Sequence, residues 1–307
     1  MNTFFAPLEG ITTYTYRTVH AEVFGHCDAY YAPFITPTDN EKLSLKTIRD
    51  IMPEKNEGTN LKIQVLSNTV SSFEKFCKKV SPLGYEEVNL NLGCPSNTVC
   101  KKGRGSAFLK EPEKLREFFE GVFASSDFKI SVKTRIGFSS EEEFDRLFEI
   151  YSSFPISLLI IHPRTRMQMY KGAPDMITFD KAYSTYKGNL CYNGDINSLS
   201  DYNELVKTYP NLDSVMIGRG AISNPAIFRE IKGGKRLESE ELINFTDRLI
   251  EKYIPLLGSD TYTLHKLKEI WLYISQNYPG EKKILKSIRK SNKLTDFRSS
   301  LNNLPKL

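Results

Sequence analysis

The segment KISVKTRIGFSSEEEFDRLFEIYSSFPISLLIIHP, residues 129–163, contains two strand-like runs on either side of a helix-like stretch. The run at 157–163 is nearly continuously apolar, which is typical of a parallel strand that is covered on both faces. Between the runs, residues 139–154 repeat apolar side chains three and four positions apart and predict an amphipathic helix. The order strand, helix, strand favours a parallel sheet with helices packed on its outside.

The same alternation continues in both directions along the chain. Runs rich in β-branched and aromatic residues predict six more strands, at 2–8, 29–35, 61–67, 86–93, 189–195 and 213–219. Eight strands alternating with helices predict a (β/α)8 barrel, the TIM barrel, over residues 1–232. The glycine- and charge-rich residues 233–240 predict a linker, and residues 241–307, which show only helical periodicity, predict a small C-terminal helical domain.

The net charge of +5 is unevenly distributed. From residue 233 onward the chain has 14 Lys and Arg against 9 Asp and Glu, so the whole excess lies in this part. On a helix beginning near Lys282, the cations Lys286, Arg289, Lys290 and Lys293 would share one face. A basic appendage on a neutral body suggests a polyanionic partner. The alternative, a solvated helix face, is about as common for charge clusters in general.

Several classes of protein are disfavoured. No apolar run approaches the roughly 18 residues of a membrane span, and the N-terminus lacks the basic and apolar regions of a secretory signal. The five scattered cysteines suggest a reducing compartment, so we expect a cytoplasmic protein without a membrane partner. Cys94 and Cys100 have no second Cys/His pair nearby, and no metal site is predicted.

Polar residues collect where the predicted strands end. In a TIM barrel the carboxyl ends of the strands form the active site, so these side chains are expected to converge on one rim. They are Glu9, Gln64, Asn91, Cys94, Lys133, Arg135, His162, Arg164, Asn193, Asp195 and Arg219.

Two features of this rim suggest that it binds negative charge, on a phosphate-containing cofactor or at the reacting group. Gly218, Arg219 and Gly220 follow the last strand and lead into a helix, and glycines there let backbone amides approach an anion. A plain turn is the alternative reading. Lys133 would place a cation inside the rim that could stabilise negative charge on a reduced flavin or an enolate. The alternative for Lys133 is an ion pair inside the barrel.

Six motifs, in order along the chain, resemble those of the tRNA-dihydrouridine synthase family. They are FFAPLEGIT (4–12), NLNLGCPSNTVCKKGRGSAFL (89–109), SVKTRIG (131–137), HPRTRMQMYKG (162–172), YNGDI (192–196) and VMIGRGAISNP (215–225). The resemblance implies an FMN-dependent TIM barrel that reduces uridine in tRNA to dihydrouridine with NADPH. It also implies that the helical domain binds tRNA, and we expect no stable protein partner.

The resemblance also implies roles for individual residues. The FMN-binding residues would be Pro7, Leu8, Glu9, Gln64, Lys133, His162, Asn193, Gly194, Asp195, Gly218 and Arg219. Asn91 and Tyr170 would contact the uracil, and Cys94 would be the catalytic acid. The tRNA-binding cations would be Lys286, Arg289, Lys290 and Lys293.

The position of Cys94 suits an acid. Reducing the C5–C6 double bond requires a hydride at C6, supplied from N5 of FMN, and a proton at C5. A thiol with a pKa near ~8.5 is mostly protonated at neutral pH and can give that proton. Gly93 allows close approach of the backbone to a ligand, and Pro95 stiffens the turn. Cys100 is a rival acid, but the neighbouring lysines favour its thiolate, so Cys94 is preferred.

Two other functions remain open from the residues. One is an FMN barrel acting on a free pyrimidine, such as a dihydroorotate dehydrogenase, which would leave the basic appendage unexplained. The other is a non-catalytic RNA-binding protein, which would leave the polar rim unused.

Overall fold

The computed structural model describes residues 1–38, 40 and 43–307, and these form a closed barrel of eight parallel strands. The strands are β1 (Asn2–Phe5), β2 (Ala29–Tyr31), β3 (Leu61–Val65), β4 (Glu87–Leu92), β5 (Lys129–Gly137), β6 (Leu159–Thr165), β7 (Leu190–Tyr192) and β8 (Ser214–Ile217). They pair in chain order, and β1 closes the barrel against β8 with Asn2 opposite Ser214. The predicted TIM barrel is therefore confirmed.

The helices alternate with the strands and continue after them. They are α1 (Tyr14–Val23), α2 (Leu45–Ile51), α3 (Val70–Val80), α4 (Asn97–Cys100), α5 (Pro112–Ser125), α6 (Glu143–Ser152), α7 (Met176–Thr185), α8 (Leu199–Thr208), α9 (Arg219–Ser223), α10 (Ile227–Ile231), α11 (Ser239–Leu257), α12 (Asp260–Ile274), α13 (Lys282–Lys290) and α14 (Leu294–Leu301). Short 3₁₀ turns cover Pro53–Lys55, Ser81–Leu83, Gly105–Lys110 and Ser275–Asn277. Within the described ranges, no helix has the length and apolar character needed to cross a membrane.

Successive side chains along each strand point alternately to the outside and the inside of the barrel, where two separate apolar cores lie. Alternate positions such as Ile63, Val65 and Val88 are fully buried in the large core that includes the surrounding helices. The intervening positions face the inside of the barrel, where Tyr31 and Met216 belong to a second, smaller apolar cluster. The polar side chains of β3 to β6 occupy the same inward register, so the sequence pattern itself directs them into the barrel.

The C-terminal helices pack directly on the barrel. Phe245 of α11 meets Tyr16 of α1 edge to face, with ring centroids 5.5 Å apart. Asn277 donates a hydrogen bond of 2.7 Å to the Ser223 carbonyl. These two contacts join the helical region to α1 and α9, which directly follow β1 and β8. They therefore hold the helical region next to the carboxyl ends of the strands.

The predicted linker contains the start of a helix. Arg229 bridges it, donating to the Lys235 carbonyl at 3.0 Å and to the Glu241 carboxylate at 2.8 and 2.7 Å. Helix α11 begins at Ser239, and a capping box formed by Glu238 and Glu241 explains that start. The domain limits at 232 and 241 stay a prediction.

The placement of Lys293 on one helical face with Lys286, Arg289 and Lys290 is wrong. Helix α13 ends at Lys290, whereas Lys293 has extended backbone angles and forms the N-cap of α14. Lys293 therefore does not continue the helical face of Lys286, Arg289 and Lys290, which are all exposed. The opposite side of α13 packs as expected, with Ile288 buried.

Candidate active site

A cavity of about 340 Å³ opens at the carboxyl ends of the strands. Every barrel residue predicted for the site lines it, namely Pro7, Leu8, Glu9, Gln64, Asn91, Cys94, Lys133, His162, Tyr170, Asn193, Gly194, Asp195, Gly218 and Arg219. The predicted tail cations lie elsewhere: Lys286 and Arg289 line a separate groove between α12 and α13.

Five lining residues were not predicted from the sequence, and two of them, Ala6 and Ile11, lie in the same loop as Pro7, Leu8 and Glu9. Pro33 and Phe34 follow β2, whose end carries no polar residue to mark it. Tyr273 comes from α12 and reaches the cavity from the helical region. No local pattern distinguishes Tyr273 from other tyrosines, because only the packing of α12 brings it to the barrel mouth.

Side-chain amides connect the Cys94 loop to the inside of the barrel. The Asn91 carbonyl oxygen accepts hydrogen bonds from the backbone N–H groups of Gly93 at 3.0 Å and Cys94 at 2.9 Å. The Asn91 amide nitrogen donates to Gln64 Oε1 at 2.7 Å, and Gln64 Nε2 donates to Asn89 Oδ1 at 2.7 Å. These bonds hold the turn after β4 and both amides in one arrangement.

The chain of hydrogen bonds ends at a carboxylate. Asn89 Nδ2 donates to Ser131 Oγ at 2.9 Å, and Ser131 donates to Glu87 Oε1 at 2.5 Å. Backbone N–H groups at one end can only donate and the carboxylate at the other can only accept, so the direction of every bond between them is determined. Gln64 and Asn91 each retain one amide hydrogen, which suits them to bind carbonyl oxygens of a ligand.

The loop that carries Cys94 folds back onto a second segment. The Cys94 carbonyl accepts hydrogen bonds from the backbone N–H of Ser106 at 3.1 Å and from its hydroxyl at 2.8 Å. Gly105 makes this approach possible, because it has φ of +58° and an added Cβ would lie 2.8 Å from the Cys94 carbonyl oxygen. The Cys100 thiol contacts the same oxygen at 3.8 Å and does not line the cavity.

Burial sets the protonation of two groups in the cavity. Desolvation, with help from Arg135, lowers the pKa of Lys133 to about 8. The Lys133 ammonium makes no hydrogen bond or ion pair with any residue in the described ranges, so a ligand is its natural partner. Burial raises the pKa of the Cys94 thiol, which keeps the thiol protonated at neutral pH.

His162 is neutral and in one tautomer. Burial, together with the charges of Arg135 and Lys133, lowers the His162 pKa well below its usual value. Nη1 of Arg164 lies 3.2 Å from His162 Nε2. A guanidinium can only donate, so Nε2 is the acceptor and the proton is on Nδ1.

An acidic residue orients two arginines at the rim. Asp195 accepts hydrogen bonds from Arg164 Nη1 at 3.0 Å and from Arg219 Nη2 at 2.8 Å. Burial opposes ionisation of the Asp195 carboxyl, but both arginines outweigh it and lower the pKa. The Tyr170 ring is half exposed between two cations, with Arg219 at 4.7 Å and Arg135 at 5.4 Å from its centroid.

Replacing Asn89 with leucine should lower the free energy of unfolding by about 1–3 kcal/mol, because Gln64 and Ser131 would each lose a buried partner. Urea denaturation of the purified protein measures this. The matched control is Asn189→Leu, which removes a single exposed hydrogen bond to the Ser157 carbonyl. Equal stabilities for the two variants would mean that the amide chain contributes nothing to the folded state.

The comparisons with known proteins agree over nearly the whole chain. The profile of the family described as Dihydrouridine synthase (Dus) matches residues 4–306. The tRNA-dihydrouridine(16) synthase of Salmonella typhimurium is 28% identical, with 98% of each chain covered, and that of Escherichia coli strain K12 is 26% identical with the same coverage. The tRNA-dihydrouridine synthase B of Shewanella oneidensis is 34% identical over 150 residues, 48% of this chain and 46% of that one.

Among solved structures, morphinone reductase superposes with a TM-score of 0.53 at 10% identity, covering 76% of this chain and 86% of that one. At this identity the likeness concerns the barrel fold alone. The family match over residues 4–306 and the full-length relatives go further than the fold. The chain belongs to the dihydrouridine synthase family.

Proposed function

We propose that this protein reduces the C5–C6 double bond of particular uridines in tRNA, with FMN as its bound cofactor and NADPH as its reductant. The observation that carries the proposal is the polar cavity of about 340 Å³, in which a protonated thiol, Cys94, and an unpartnered cation, Lys133, face the same space. Since tRNA is the substrate, the activity belongs in the cytoplasm.

The residues around the cavity fit FMN. The ring system offers carbonyl oxygens and nitrogens, which suit the remaining amide hydrogen of Gln64, the Nδ1 hydrogen of His162 and the free ammonium of Lys133. Pro7, Leu8 and Glu9, in the loop after β1, would lie beside the cofactor. When bound, FMN would supply the hydride that C6 of the uracil receives.

The opposite wall of the cavity fits the phosphate end of the cofactor. Arg219 is exposed there and Asp195 orients it, so we assign Asp195 the task of positioning the arginine rather than touching the phosphate. Asn193, Gly194 and Gly218 complete this wall.

Cys94 would give the proton to C5. Its loop is held on both sides, by Asn91 and by Ser106, so the thiol has a defined position relative to the cavity. The S–H bond breaks, the C5–H bond forms, and the thiolate left behind takes a proton from water. The raised pKa of Cys94 favours that return to the thiol.

The uracil pocket would be built from Asn91 and Tyr170. Asn91 retains one amide hydrogen for a uracil carbonyl, while its oxygen is committed to the backbone of the Cys94 turn. The exposed Tyr170 ring offers a flat surface near His162, with centroids 6.1 Å apart. Outside the barrel, Lys286, Arg289, Lys290 and Lys293 would bind tRNA phosphates, although Lys293 does so from the start of α14.

The decisive experiment incubates the purified protein with NADPH and tRNA from cells that lack dihydrouridine. We expect NADPH-dependent dihydrouridine formation in that tRNA and no turnover of dihydroorotate. Turnover of dihydroorotate with unmodified tRNA would favour the free-pyrimidine enzyme, and a protein that takes up no flavin would end the oxidoreductase proposal.

Arg219→Ala should make the free energy of FMN binding less favourable by roughly 1.5–3 kcal/mol, because it removes a charged hydrogen bond to the phosphate. Fluorescence titration of the stripped protein with FMN measures the change in dissociation constant. Arg146→Ala is the matched control, since Arg146 pairs with exposed Glu113 and Glu149 on the outer helices. An unchanged FMN affinity in the Arg219 variant would remove this residue from the cofactor site.

A further inference from the structure

A second cavity lies beside the first and is larger, about 470 Å³ against 340 Å³. The two share Glu9, Pro33 and Phe34, which belong to the loops after β1 and β2. Its other walls come from the start of α1, from α2, from the C-terminal end of α11 and from Lys266 of α12. A ligand that enters the catalytic cavity can therefore extend across these three residues into the second one.

The inner walls of the second cavity are apolar and aromatic. Phe34, Tyr14 and Tyr253 supply rings, and Leu256 and Leu257 close the side formed by α11. Such a lining suits a flat, aromatic group, because stacking on rings recovers the contacts that the group loses on leaving water.

Two hydroxyl groups of the cavity, those of Tyr253 and Thr13, interact with each other in a poorly aligned geometry. Tyr253 is 2% exposed, and neither its hydroxyl nor the buried oxygen of the neighbouring Thr13 has a well-formed partner among the described residues. Burial raises the Tyr253 pKa, so the phenol is a donor. Because the one hydrogen bond between these hydroxyls is poorly aligned, both groups keep hydrogen-bonding capacity for a polar edge of a ligand.

The mouth of the second cavity carries positive charge, and the Glu9 carboxyl on the wall shared with the first cavity lies within electrostatic reach of Lys46. Lys46 and Arg49 of α2 are exposed, line the cavity and make no hydrogen bond or ion pair with the part of the chain that the structure describes. The third cation, Lys266, is already bound to the Gly10 carbonyl at 3.0 Å and to Glu269. The acidic Asp50 is engaged by the Tyr14 backbone N–H at 2.6 Å and by Arg17.

We propose that the second cavity binds the RNA nucleotide next to the target uridine, with its base between the aromatic walls and its phosphate at Lys46 and Arg49. The inference rests on the proposed function, because only an RNA substrate places a second nucleotide beside the uracil. The aromatic interior matches a base, the hydroxyls of Tyr253 and Thr13 match the polar edge of that base, and the exposed cations Lys46 and Arg49 match a phosphate.

The proposed base-binding part of the second cavity is tested by filling it with a larger side chain. Thr47→Trp introduces a large ring from α2, where Thr47 lines the cavity. Its backbone N–H still donates the helix-start hydrogen bond to Ser44 Oγ, and the substitution removes only the exposed hydrogen bond between the two hydroxyls. With tRNA as substrate, we expect KM to rise roughly tenfold, since base stacking is lost, while kcat and FMN content stay unchanged. Thr185→Trp, an exposed threonine on α7, is the matched control.

The proposed phosphate contact is tested by reversing the charges of Lys46 and Arg49. Lys46→Glu with Arg49→Glu should reduce the slope of log KM for tRNA against log salt by about 0.9 for each lost phosphate contact. Thr47→Trp should leave that slope unchanged. The control is Lys187→Glu with Lys207→Glu, which makes the same charge change at exposed positions near the amino ends of β7 and β8.

Wild-type values of KM and salt slope in both cavity variants would overturn the inference. A raised KM for NADPH with an unchanged KM for tRNA would also overturn it, because the cavity would then serve the reductant. If the wild-type protein forms no dihydrouridine, the proposed function fails by itself. Filter binding of tRNA to the same variants then tests the second cavity independently, and equal affinities would contradict it.

Discussion

Replacing Cys94 with alanine should reduce dihydrouridine formation by roughly 10²–10⁴-fold, the usual contribution of one positioned acid. The Cys94 thiol lines the cavity, its loop is held by Asn91 and Ser106, and burial keeps it protonated. FMN content and the reduction of FMN by NADPH should be unchanged, because neither step needs the proton. Stopped-flow measurement of the flavin absorbance and quantification of dihydrouridine in tRNA separate the two steps.

Cys100→Ala is the matched control. Cys100 contacts the Cys94 carbonyl at 3.8 Å and the Ser106 hydroxyl at 3.5 Å, and its side chain does not line the cavity. We expect nearly normal activity from this variant. An inactive Cys100 variant together with an active Cys94 variant would show that the acid has been assigned to the wrong cysteine.

Reversing two charges on α13 should weaken tRNA binding by roughly 60-fold at 0.1 M salt. Each phosphate contact contributes about 0.9 to the slope of log affinity against log salt, so two contacts contribute about 1.8 powers of ten between 0.1 and 1 M salt. Lys286 and Lys290 are exposed on α13 and form no ion pair with any described residue, which leaves both free for RNA. The change is Lys286→Glu with Lys290→Glu.

The measurement is tRNA affinity at several salt concentrations, with FMN content and NADPH oxidation as internal controls that should not change. The control Lys187→Glu with Lys207→Glu alters the net charge equally at a distance from α13. Identical slopes for the α13 variant and the wild type would mean that this basic face is only solvated and that tRNA binds elsewhere.

The barrel and its polar rim could be predicted because both follow from short-range patterns. A parallel strand covered on both faces must be apolar over most of its length, so each strand appears in the sequence as a compact run. Residues at the carboxyl end of such a run must lie on one rim once the barrel closes. For this reason Gln64, Asn91, Lys133 and His162, which are far apart in sequence, could all be assigned to one cavity.

The wrong placement of Lys293 on the α13 face shows the limit of an argument from residue spacing. Spacings of three and four residues imply one face only while the helix continues, and the backbone turns at Ser291 before α14 begins. Nothing in the charge pattern marks that turn. The prediction for Lys286, Arg289 and Lys290 survives as a shared exposed face, and their contact with RNA stays a prediction.

By itself the sequence determined the strand order, the register of the inward side chains and the identity of the reactive groups, because these depend on neighbours within a few residues. Only the tertiary structure decided how those groups are held. Asn89 orients Gln64 across two strands, Asp195 orients Arg219 between two loops, and Tyr273 reaches the cavity from α12. Such contacts depend on distances between segments that are remote in the chain, and hydrogen bonds of about 3 Å are formed only after the barrel has closed and the helices have packed against it.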